Sequence, residues 1–149
     1  MSDRQTVLFL CTGNYYRSRF AELLFNRLAE QEQLPWRADS RGLRLSDANP
    51  GPLSIHARTV LAKLEVPLPQ PVRFPIALTE ADLRAAAHVV AVKEHEHRPL
   101  LAEQFPDWTD RVEFWHVHDL DCAAPEHALP ELAQHVRDLL QRVHCRLLP

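Results

Sequence analysis

Apolar residues of this chain recur at spacings that distinguish strands from helices. The run from Val7 to Leu10 is short, apolar and rich in β-branched and aromatic side chains, which is typical of a buried strand. From Ser18 onward the apolar residues recur at helical spacing instead: Phe20, Ala21, Leu24, Phe25 and Leu28. The pattern therefore predicts a strand and a helix joined by the loop 11–17.

The rest of the chain continues as strands and helices. Strands are predicted at 36–40, 88–92 and 112–118. Helices are predicted to begin at Ser54, Thr79, Lys93 and Leu129, the first two with a capping side chain. Turn residues predict a loop over 43–52, which should lie at the edge of the sheet where the strands end and where an active site would form. The prolines of 66–75 indicate a stiff extended connection. A chain of this length has no room for a second domain, so residues 1–149 are predicted to form one.

The charge and the cysteines narrow the class of the protein. A formal net charge of −3, with both signs interspersed, gives no general electrostatic reason to bind nucleic acid or a membrane. The first residues contain no apolar signal region and no apolar run approaches the length of a membrane span, so we expect a cytoplasmic protein. Cys122 and Cys145 lack the spacing of disulfide partners or zinc ligands and are predicted to be reduced thiols.

The loop between the first strand and the first helix has the features of an anion-binding site. A tight loop of this kind turns successive backbone N–H groups inward, and the helix that follows adds unpaired N–H groups and the positive end of its dipole. Gly13 can adopt positive φ at little cost and Asn14 tolerates it, so the loop can curve around a tetrahedral group. We therefore expect the loop to bind a dianion.

Three side chains of the loop suit chemistry at phosphorus. Cys11 lies at the floor of the predicted anion site, where the N–H dipoles and the Arg17 guanidinium favour a thiolate, so it is predicted to be a nucleophile. Arg17 has the planar fork that binds two oxygens of a phosphoryl group and follows them as the group becomes trigonal bipyramidal. Ser18 can hydrogen-bond the sulfur and help it to leave later.

The sequence from Cys11 to Glu22 resembles a family signature. Cys11-Thr-Gly-Asn-Tyr-Tyr-Arg17-Ser18, followed by Phe20-Ala21-Glu22, is similar to the loop of the low-molecular-weight protein tyrosine phosphatases, and the likeness covers nearly the whole chain. The resemblance implies an α/β fold with three layers, α/β/α, a four-stranded parallel sheet and the phosphate-binding loop between the first strand and the first helix. It also implies a phosphatase that uses Cys11 as its nucleophile, forms a cysteinyl-phosphate intermediate and needs no metal or other cofactor.

The same resemblance implies a substrate and a set of binding residues. The implied substrate is phosphotyrosine in a protein or a small aryl phosphate, and phosphoarginine, which some relatives use, remains an alternative. Inorganic phosphate or another oxyanion can also occupy the loop. The expected substrate-binding residues are Thr12, Gly13, Asn14, Tyr15, Tyr16, Arg17 and Ser18. Tyr15 and Tyr16 either form aromatic walls against a phenyl phosphate or pack in the core, and the sequence leaves both alternatives open.

Further matches to the family lie far from the loop in the sequence. Asp119 matches the general acid, and Ser40 matches a serine that braces the phosphate loop. Leu120 stands where the family has proline, and Arg73 stands where it usually has a histidine that steadies the loop asparagine. Asp121 remains an alternative for the acid, because a small shift of a segment without the proline could bring it into the site.

His95 and His97 raise the question of a metal site. Their two-residue spacing on a helix points the side chains to different faces, so a solvated, charged helix start is predicted instead.

Two other functions remain open. Arsenate reductases share the fold and the anion site, but they need further cysteines to resolve the cysteine–arsenic adduct, and neither Cys122 nor Cys145 lies in a close pair. The changes at Arg73 and Leu120 favour a third function, a module that binds phosphate groups without turning them over.

Overall fold

The computed structural model describes residues 5–120 and 122–146. Its strands are β1 (Gln5–Cys11), β2 (Trp36–Gly42), β3 (His88–Ala91) and β4 (Glu113–Phe114). Its helices are α1 (Arg17–Gln31), α2 (Ile55–Lys63), α3 (Glu80–Ala85), α4 (Glu94–Gln104) and α5 (Pro125–Arg146), with a short 3-10 helix at Pro106–Trp108. Within the described ranges no helix is both long and apolar enough to cross a membrane.

The strands form one parallel sheet in the order β2-β1-β3-β4. β1 lies inside the sheet, with Cys11 opposite Gly42 of β2 and Leu10 opposite Ala91 of β3. Parallel strands present their carboxyl ends at one edge, so the loop after Cys11 opens where the segments after β3 and β4 also leave the sheet. The fold class that the family resemblance implies is confirmed.

β1 contributes to two separate apolar clusters, because successive side chains of a strand point to opposite faces. Val7 and Phe9 pack in the cluster that α1 and α5 cover. Leu8 and Leu10 pack in the cluster that α3 and α4 cover. Burial on both faces explains why the strand is a continuous apolar run, and it produces the three layers.

The predicted helix caps are present. At the start of α2, Ser54 Oγ accepts a hydrogen bond from the His56 N–H at 3.1 Å. At the start of α3, Thr79 and Asp82 form a reciprocal capping box, in which each side chain accepts the backbone N–H of the other. These caps satisfy N–H groups that have no partner within the first turn, so both helix starts follow from the local sequence.

The fourth strand is shorter than predicted. The apolar pattern predicts a strand over 112–118, whereas only Glu113–Phe114 pairs with β3 as a strand. Trp115 and Val117 still donate single backbone hydrogen bonds to the β3 segment, at 2.9 and 2.7 Å. The apolar pattern indicates that this segment is buried. It does not show at which residue an edge strand ends its regular backbone pairing with the neighbouring strand.

The last helix is longer than predicted. Its apolar stripe indicates a start at Leu129, whereas α5 begins at Pro125. Proline is favoured in the first turn of a helix, where its missing N–H would have no intrahelical partner. The turn before the stripe is therefore specified by Pro125 and not by hydrophobic spacing.

Candidate active site

The loop between β1 and α1 is held from behind by backbone hydrogen bonds. The pairs are Leu43 N–H to Cys11 O at 3.0 Å, Arg44 N–H to Thr12 O at 2.8 Å and Ser54 N–H to Tyr15 O at 3.0 Å. Each peptide unit is planar and trans, so a carbonyl that points outward leaves the N–H of the next residue pointing inward. The loop is thereby an array of donors around one position, as an anion requires.

The Cys11 sulfur is buried at the floor of this loop. The Asn14 N–H donates to Cys11 Sγ at 3.3 Å, and Ser18 Oγ lies 2.9 Å from it. A thiolate accepts such hydrogen bonds strongly and a neutral thiol accepts them weakly. The surroundings of the sulfur therefore suit an anionic nucleophile at the end of β1.

Asn14 provides the left-handed turn of the loop. Asn14 has a φ of 52°, whereas Gly13 lies outside the left-handed region, so only one of the two predicted positions uses this freedom. The Asn14 Nδ2 group donates to Ser18 Oγ at 2.9 Å and to Ser40 Oγ at 2.8 Å. Its Oδ1 accepts the Ile76 N–H at 3.0 Å. Asparagine suits the position because it tolerates positive φ and its amide is fully bonded there.

Arg73 stands in place of the family histidine and still reaches the loop asparagine. Arg73 Nη1 donates to Asn14 Oδ1 at 3.1 Å. Arg73 Nη2 donates to Ser40 Oγ at 3.1 Å and to Glu22 Oε1 at 3.2 Å. Ser40 Oγ donates in turn to Glu22 Oε1 at 2.6 Å. The support network is continuous although one of its members differs, which removes one reason to expect a module without turnover.

We expect Arg73→Ala to lower both stability and turnover. The substitution removes the donor to Asn14 Oδ1 and the cation beside the buried Glu22 carboxylate, and loss of such a partner costs about 1–3 kcal/mol of unfolding free energy. Thermal unfolding and kcat on an aryl phosphate measure the effect. Arg84→Ala is the control, because Arg84 pairs with Glu80 on an exposed helix surface. Stability and turnover equal to those of the control would contradict the support role.

Gly42 is a site residue that the sequence pattern does not reveal. A Cβ at this position would lie 2.6 Å from Leu45 Cδ2, 2.9 Å from Thr12 O and 3.1 Å from Asn14 Cβ. A side chain here would therefore displace the backbone of the loop, and glycine permits the close approach. The signal in the sequence is a glycine at a strand end, which becomes informative once the register with Cys11 is known.

Arg17 is buried, at 1% exposure, and acceptors fix its guanidinium. Nη1 donates to Val117 O at 3.0 Å. Nη2 lies 2.8 Å from Glu96 Oε2 and 3.4 Å from Asp119 Oδ2. Burial acts to lower the pKa of Arg17, but the negative groups around it, Cys11 first among them, outweigh burial and hold the pKa above its usual value. The guanidinium is therefore charged beside the sulfur.

Asp119 lies at the rim of the site, with its side chain 41% exposed. Its Oδ1 accepts the Leu120 N–H at 2.8 Å, and its carbonyl accepts the Cys122 N–H at 3.0 Å. These bonds form a turn that keeps the carboxylate near Arg17 with leucine in place of the family's proline. Asp121, the alternative acid, lies outside the described residues.

A cavity of about 220 Å³ opens over the loop. Its lining consists of Cys11, Gly13, Tyr15, Tyr16, Arg17, Asn49, Ser54, Asp119 and Leu120. The three side chains predicted to carry the chemistry, those of Cys11, Arg17 and Asp119, therefore meet in one cavity. Thr12, Asn14 and Ser18, which are also predicted to bind substrate, do not line it. Their side chains are engaged in hydrogen bonds beside it.

The two tyrosines of the loop have different surroundings. Tyr15 is half-buried, and its hydroxyl donates to Pro50 O at 2.5 Å, which ties the loop to the segment 43–52. Tyr16 is buried in the core with its ring edge-to-face against His56. Burial, with a smaller contribution from Asp119, raises the pKa of Tyr16 to about 12. Tyr15 is thus a wall of the cavity, and Tyr16 belongs to both the wall and the core.

The two histidines at the start of α4 also differ. His95 is exposed, as predicted, whereas His97 is 0% exposed, so the prediction of a solvated helix start is wrong for His97. Its Nε2 lies 3.1 Å from Thr12 Oγ1 and 3.1 Å from Glu96 Oε2. Across the part of the chain that the structure describes, no group of three or more His, Cys, Asp or Glu side chains is arranged to hold a metal ion.

Comparison with known proteins assigns this fold and site to one family. The family model for low molecular weight phosphotyrosine protein phosphatases matches residues 6–147. The chain belongs to this family of cysteine-based phosphatases. The resemblance that the loop sequence carries is therefore confirmed.

The relatives include proteins named for two different substrates. A protein-arginine-phosphatase of Bacillus subtilis (strain 168) is 36% identical over 106 residues, which are 71% of this chain and 67% of that protein. The crystal structure of a YwlE mutant from Bacillus subtilis matches with a TM-score of 0.78 and 28% identity, over 94% of this chain and 99% of that one. A low molecular weight protein tyrosine phosphatase from T. tengcongensis matches with a TM-score of 0.74 and 26% identity, over 96% of this chain and 99% of that one.

Proposed function

We propose that this chain is a cysteine-dependent protein tyrosine phosphatase that hydrolyses phosphotyrosine in proteins, or small aryl phosphates. The observation that carries the proposal is that one cavity joins a buried sulfur, a buried guanidinium and a rim carboxylate, those of Cys11, Arg17 and Asp119. Hydrolysis of a phosphate ester through a covalent intermediate needs these three kinds of group, namely a nucleophile, a bidentate ligand for the phosphoryl oxygens and a proton donor.

In the first step the Cys11 thiolate attacks phosphorus, and the bond from phosphorus to the leaving oxygen breaks. The leaving phenoxide takes a proton from Asp119, and a cysteinyl phosphate remains. Arg17 and the loop N–H groups bind the equatorial oxygens throughout, which is the main catalytic contribution in phosphoryl transfer. The 3.4 Å separation of Arg17 Nη2 and Asp119 Oδ2 keeps the acid next to the group that binds those oxygens.

In the second step water attacks the phosphorus of the cysteinyl phosphate while Asp119 takes a proton from the water. The sulfur–phosphorus bond breaks, inorganic phosphate leaves and the thiolate is restored. Ser18 Oγ, 2.9 Å from the sulfur, stabilises the departing thiolate. This cycle uses one cysteine, whereas arsenate reduction would need a further thiol to resolve the adduct.

The mouth of the cavity supports an aryl substrate. Tyr15 and Leu120 belong to its lining, and Leu120 is 46% exposed. An aromatic ring and an apolar side chain at the entrance cover a phenyl group while its phosphate reaches the loop. Phosphoserine has no ring to fill this entrance and is expected to be a poor substrate.

Phosphoarginine is the second candidate substrate, because a relative that is 36% identical to this chain is named a protein-arginine-phosphatase. A guanidinium at the mouth would meet the Asp119 carboxylate and the face of the Tyr15 ring, and both attract cations. The nucleophile and Arg17 would act as before, since displacement at phosphorus is the same with a nitrogen leaving group. The two substrates therefore differ in their contacts at the mouth.

Peptides identical except for one phosphorylated residue distinguish these candidates. The peptides carry phosphotyrosine, phosphoserine or phosphoarginine, and a chelator is present because the mechanism uses no metal ion. We expect the highest kcat/KM for the phosphotyrosine peptide. A higher kcat/KM for phosphoarginine would replace the tyrosine assignment. If no peptide releases phosphate while vanadate still binds, the chain is a binding module, and turnover that chelator abolishes would overturn the mechanism.

Asp119→Asn is expected to lower kcat on phenyl phosphate roughly 10²-fold or more, and much less on para-nitrophenyl phosphate, because a good leaving group departs without a proton. Asp121→Asn is the comparison variant, and kcat on the two esters is the measurement. Asp121 and not Asp119 would be the general acid if Asp121→Asn lowered kcat mainly on phenyl phosphate while Asp119→Asn affected both esters equally.

A further inference from the structure

One carboxylate oxygen next to the loop lies beside three donors. Arg17 Nη2 and the hydroxyl of Thr12 donate to Glu96 Oε2, the first at 2.8 Å, and the His97 Nε2–H lies 3.1 Å from both Glu96 Oε2 and Thr12 Oγ1. Glu96 and His97 do not line the cavity, so neither is placed to touch a substrate. Any effect of this cluster on the reaction must therefore pass through Arg17 or through the loop at Thr12.

His97 is held in one protonation state and one tautomer. Its Nδ1 accepts the Lys93 backbone N–H at 3.1 Å, so the proton of the neutral ring is on Nε2. Burial lowers the pKa of His97 and Arg17 lowers it further, which outweighs the opposing effects of Glu96 and Asp119. The ring is therefore neutral at pH 7 and presents its Nε2–H to Thr12 Oγ1 and Glu96 Oε2, each at 3.1 Å.

Glu96 is an anion throughout the neutral range. Burial acts to raise its pKa, but the hydrogen bonds from His97, Arg17 and Thr12 outweigh burial and hold the pKa well below its usual range. Arg17 thus has an anion at one terminal nitrogen, while the other terminal nitrogen donates to Val117 O at 3.0 Å. Two acceptors at the two ends of a rigid fork fix its plane, whereas one acceptor would leave it free to tilt.

We propose that Glu96, held by His97 and Thr12, is a positioning residue that fixes the Arg17 guanidinium in the plane required to bind the equatorial oxygens of the transition state. The inference rests on the proposed phosphatase function. A fork binds two oxygens at once only when it is coplanar with them. Displacement of a positioning group by about 1 Å is sufficient to lower a rate roughly 10²-fold.

The charge of Glu96 and its hydrogen bonds have opposite effects on anion binding. The carboxylate partly neutralises Arg17 and so weakens its attraction for a phosphate dianion. The same carboxylate orients the guanidinium for the transition state. Removal of the charge should therefore lower kcat and leave the affinity for inorganic phosphate unchanged or improved. Simple loss of folded structure would instead lower both together.

Glu96→Gln is the direct test, because the amide has the same shape without the charge. We expect kcat on para-nitrophenyl phosphate to fall roughly tenfold to hundredfold, inhibition by inorganic phosphate to be unchanged or tighter, and inhibition by vanadate, which resembles the transition state, to weaken. Glu94→Gln is the matched control on the same helix, since Glu94 pairs with Arg98 at 2.7 Å on a partly exposed surface. The inference is overturned if Glu96→Gln keeps the kcat of this control, or if kcat and phosphate affinity fall in parallel.

His97→Gln and the matched variant His95→Gln test the next link in the chain of contacts. We expect His97→Gln to lower kcat less than Glu96→Gln does, and His95→Gln, at an exposed position, to leave kcat unchanged. In an Arg17→Lys background, Glu96→Gln should have little further effect, because no fork remains to be positioned. An equal loss with and without the arginine would assign Glu96 another role.

A readout independent of turnover separates this inference from the proposed function. The Arg17 Nη–H resonances should give a signal protected from exchange in the unmodified protein, because both Nη atoms donate to fixed acceptors, and that signal should be broadened or lost in Glu96→Gln. If Glu96→Gln fails to fold, Glu96→Asp replaces it, and the shorter arm should produce the same loss of protection. Lack of phosphatase activity in the unmodified protein would refute the proposed function, whereas a protected signal in the variants would refute the positioning role.

Discussion

Cys11→Ser is expected to abolish turnover and to leave oxyanion binding largely intact. The kcat on an aryl phosphate should fall roughly 10⁴-fold or more, because a serine hydroxyl is a far poorer nucleophile than a thiolate at neutral pH. The loop should keep its shape, since the Asn14 N–H at 3.3 Å and Ser18 Oγ at 2.9 Å can both hydrogen-bond an oxygen near the position of the sulfur. Steady-state kinetics give the rate, and calorimetric titration with inorganic phosphate gives the affinity.

Cys122→Ser is the matched control for this substitution. Cys122 is exposed and does not line the cavity, so loss of its thiol should leave kcat unchanged. Residual turnover near the unmodified rate in Cys11→Ser would move the chemistry to another residue. A large loss of turnover in Cys122→Ser would contradict a cycle that uses one cysteine.

The local part of the site can be predicted from sequence because its chemistry is contiguous. The cysteine, the loop and the arginine follow one another between an apolar run and a helical pattern, and Ser18 comes next on the helix. The order of a strand, a tight loop and the start of a helix therefore predicts an anion site lined by backbone N–H donors. This prediction requires no knowledge of the rest of the fold. The structure brings Cys11, Arg17 and Ser18 together at this position.

The support of the loop could be predicted only in part. The family resemblance implies the supporting role of Ser40, and Ser40 Oγ accepts a hydrogen bond from Asn14 Nδ2 at 2.8 Å. Arg73 stands at a family position that usually holds histidine, and the sequence does not show whether an arginine there supports the loop asparagine. The arginine side chain is longer than that of histidine, and its guanidinium donates to both Asn14 Oδ1 and Glu22 Oε1. A residue type that differs from a family pattern can thus make the same contact, and only the fold shows whether it reaches.

Glu96 and His97 could not be predicted as part of the site. Their partners Arg17 and Thr12 lie 79 and 85 positions away in the sequence. Helical spacing separates the faces of α4, but it does not state which face meets the loop. His97 is on the inner face and His95 on the outer, and a histidine has no strong preference for either. The contact depends on the place of β3 beside β1, which the sequence pattern does not contain.

Arg17→Lys is expected to lower kcat/KM on an aryl phosphate roughly 10²-fold to 10³-fold, which is about 3–4 kcal/mol of transition-state stabilisation. One ammonium cannot donate to Val117 O, pair with Glu96 and bind two phosphoryl oxygens, whereas the guanidinium has donors for all of them. The measurement is kcat/KM together with thermal unfolding, so that a loss of fold is detected separately.

Arg27→Lys is the matched control for this substitution, because it makes the same chemical change further along α1 and outside the cavity. It should leave kcat/KM unchanged. If Arg17→Lys retains more than about a tenth of the unmodified kcat/KM, then a point charge at this position is sufficient and the bidentate role is contradicted. If it unfolds at the same temperature as the control and still loses activity, the loss belongs to the fork itself. In that variant the Glu96 carboxylate would pair with a single ammonium, which has no planar fork to orient.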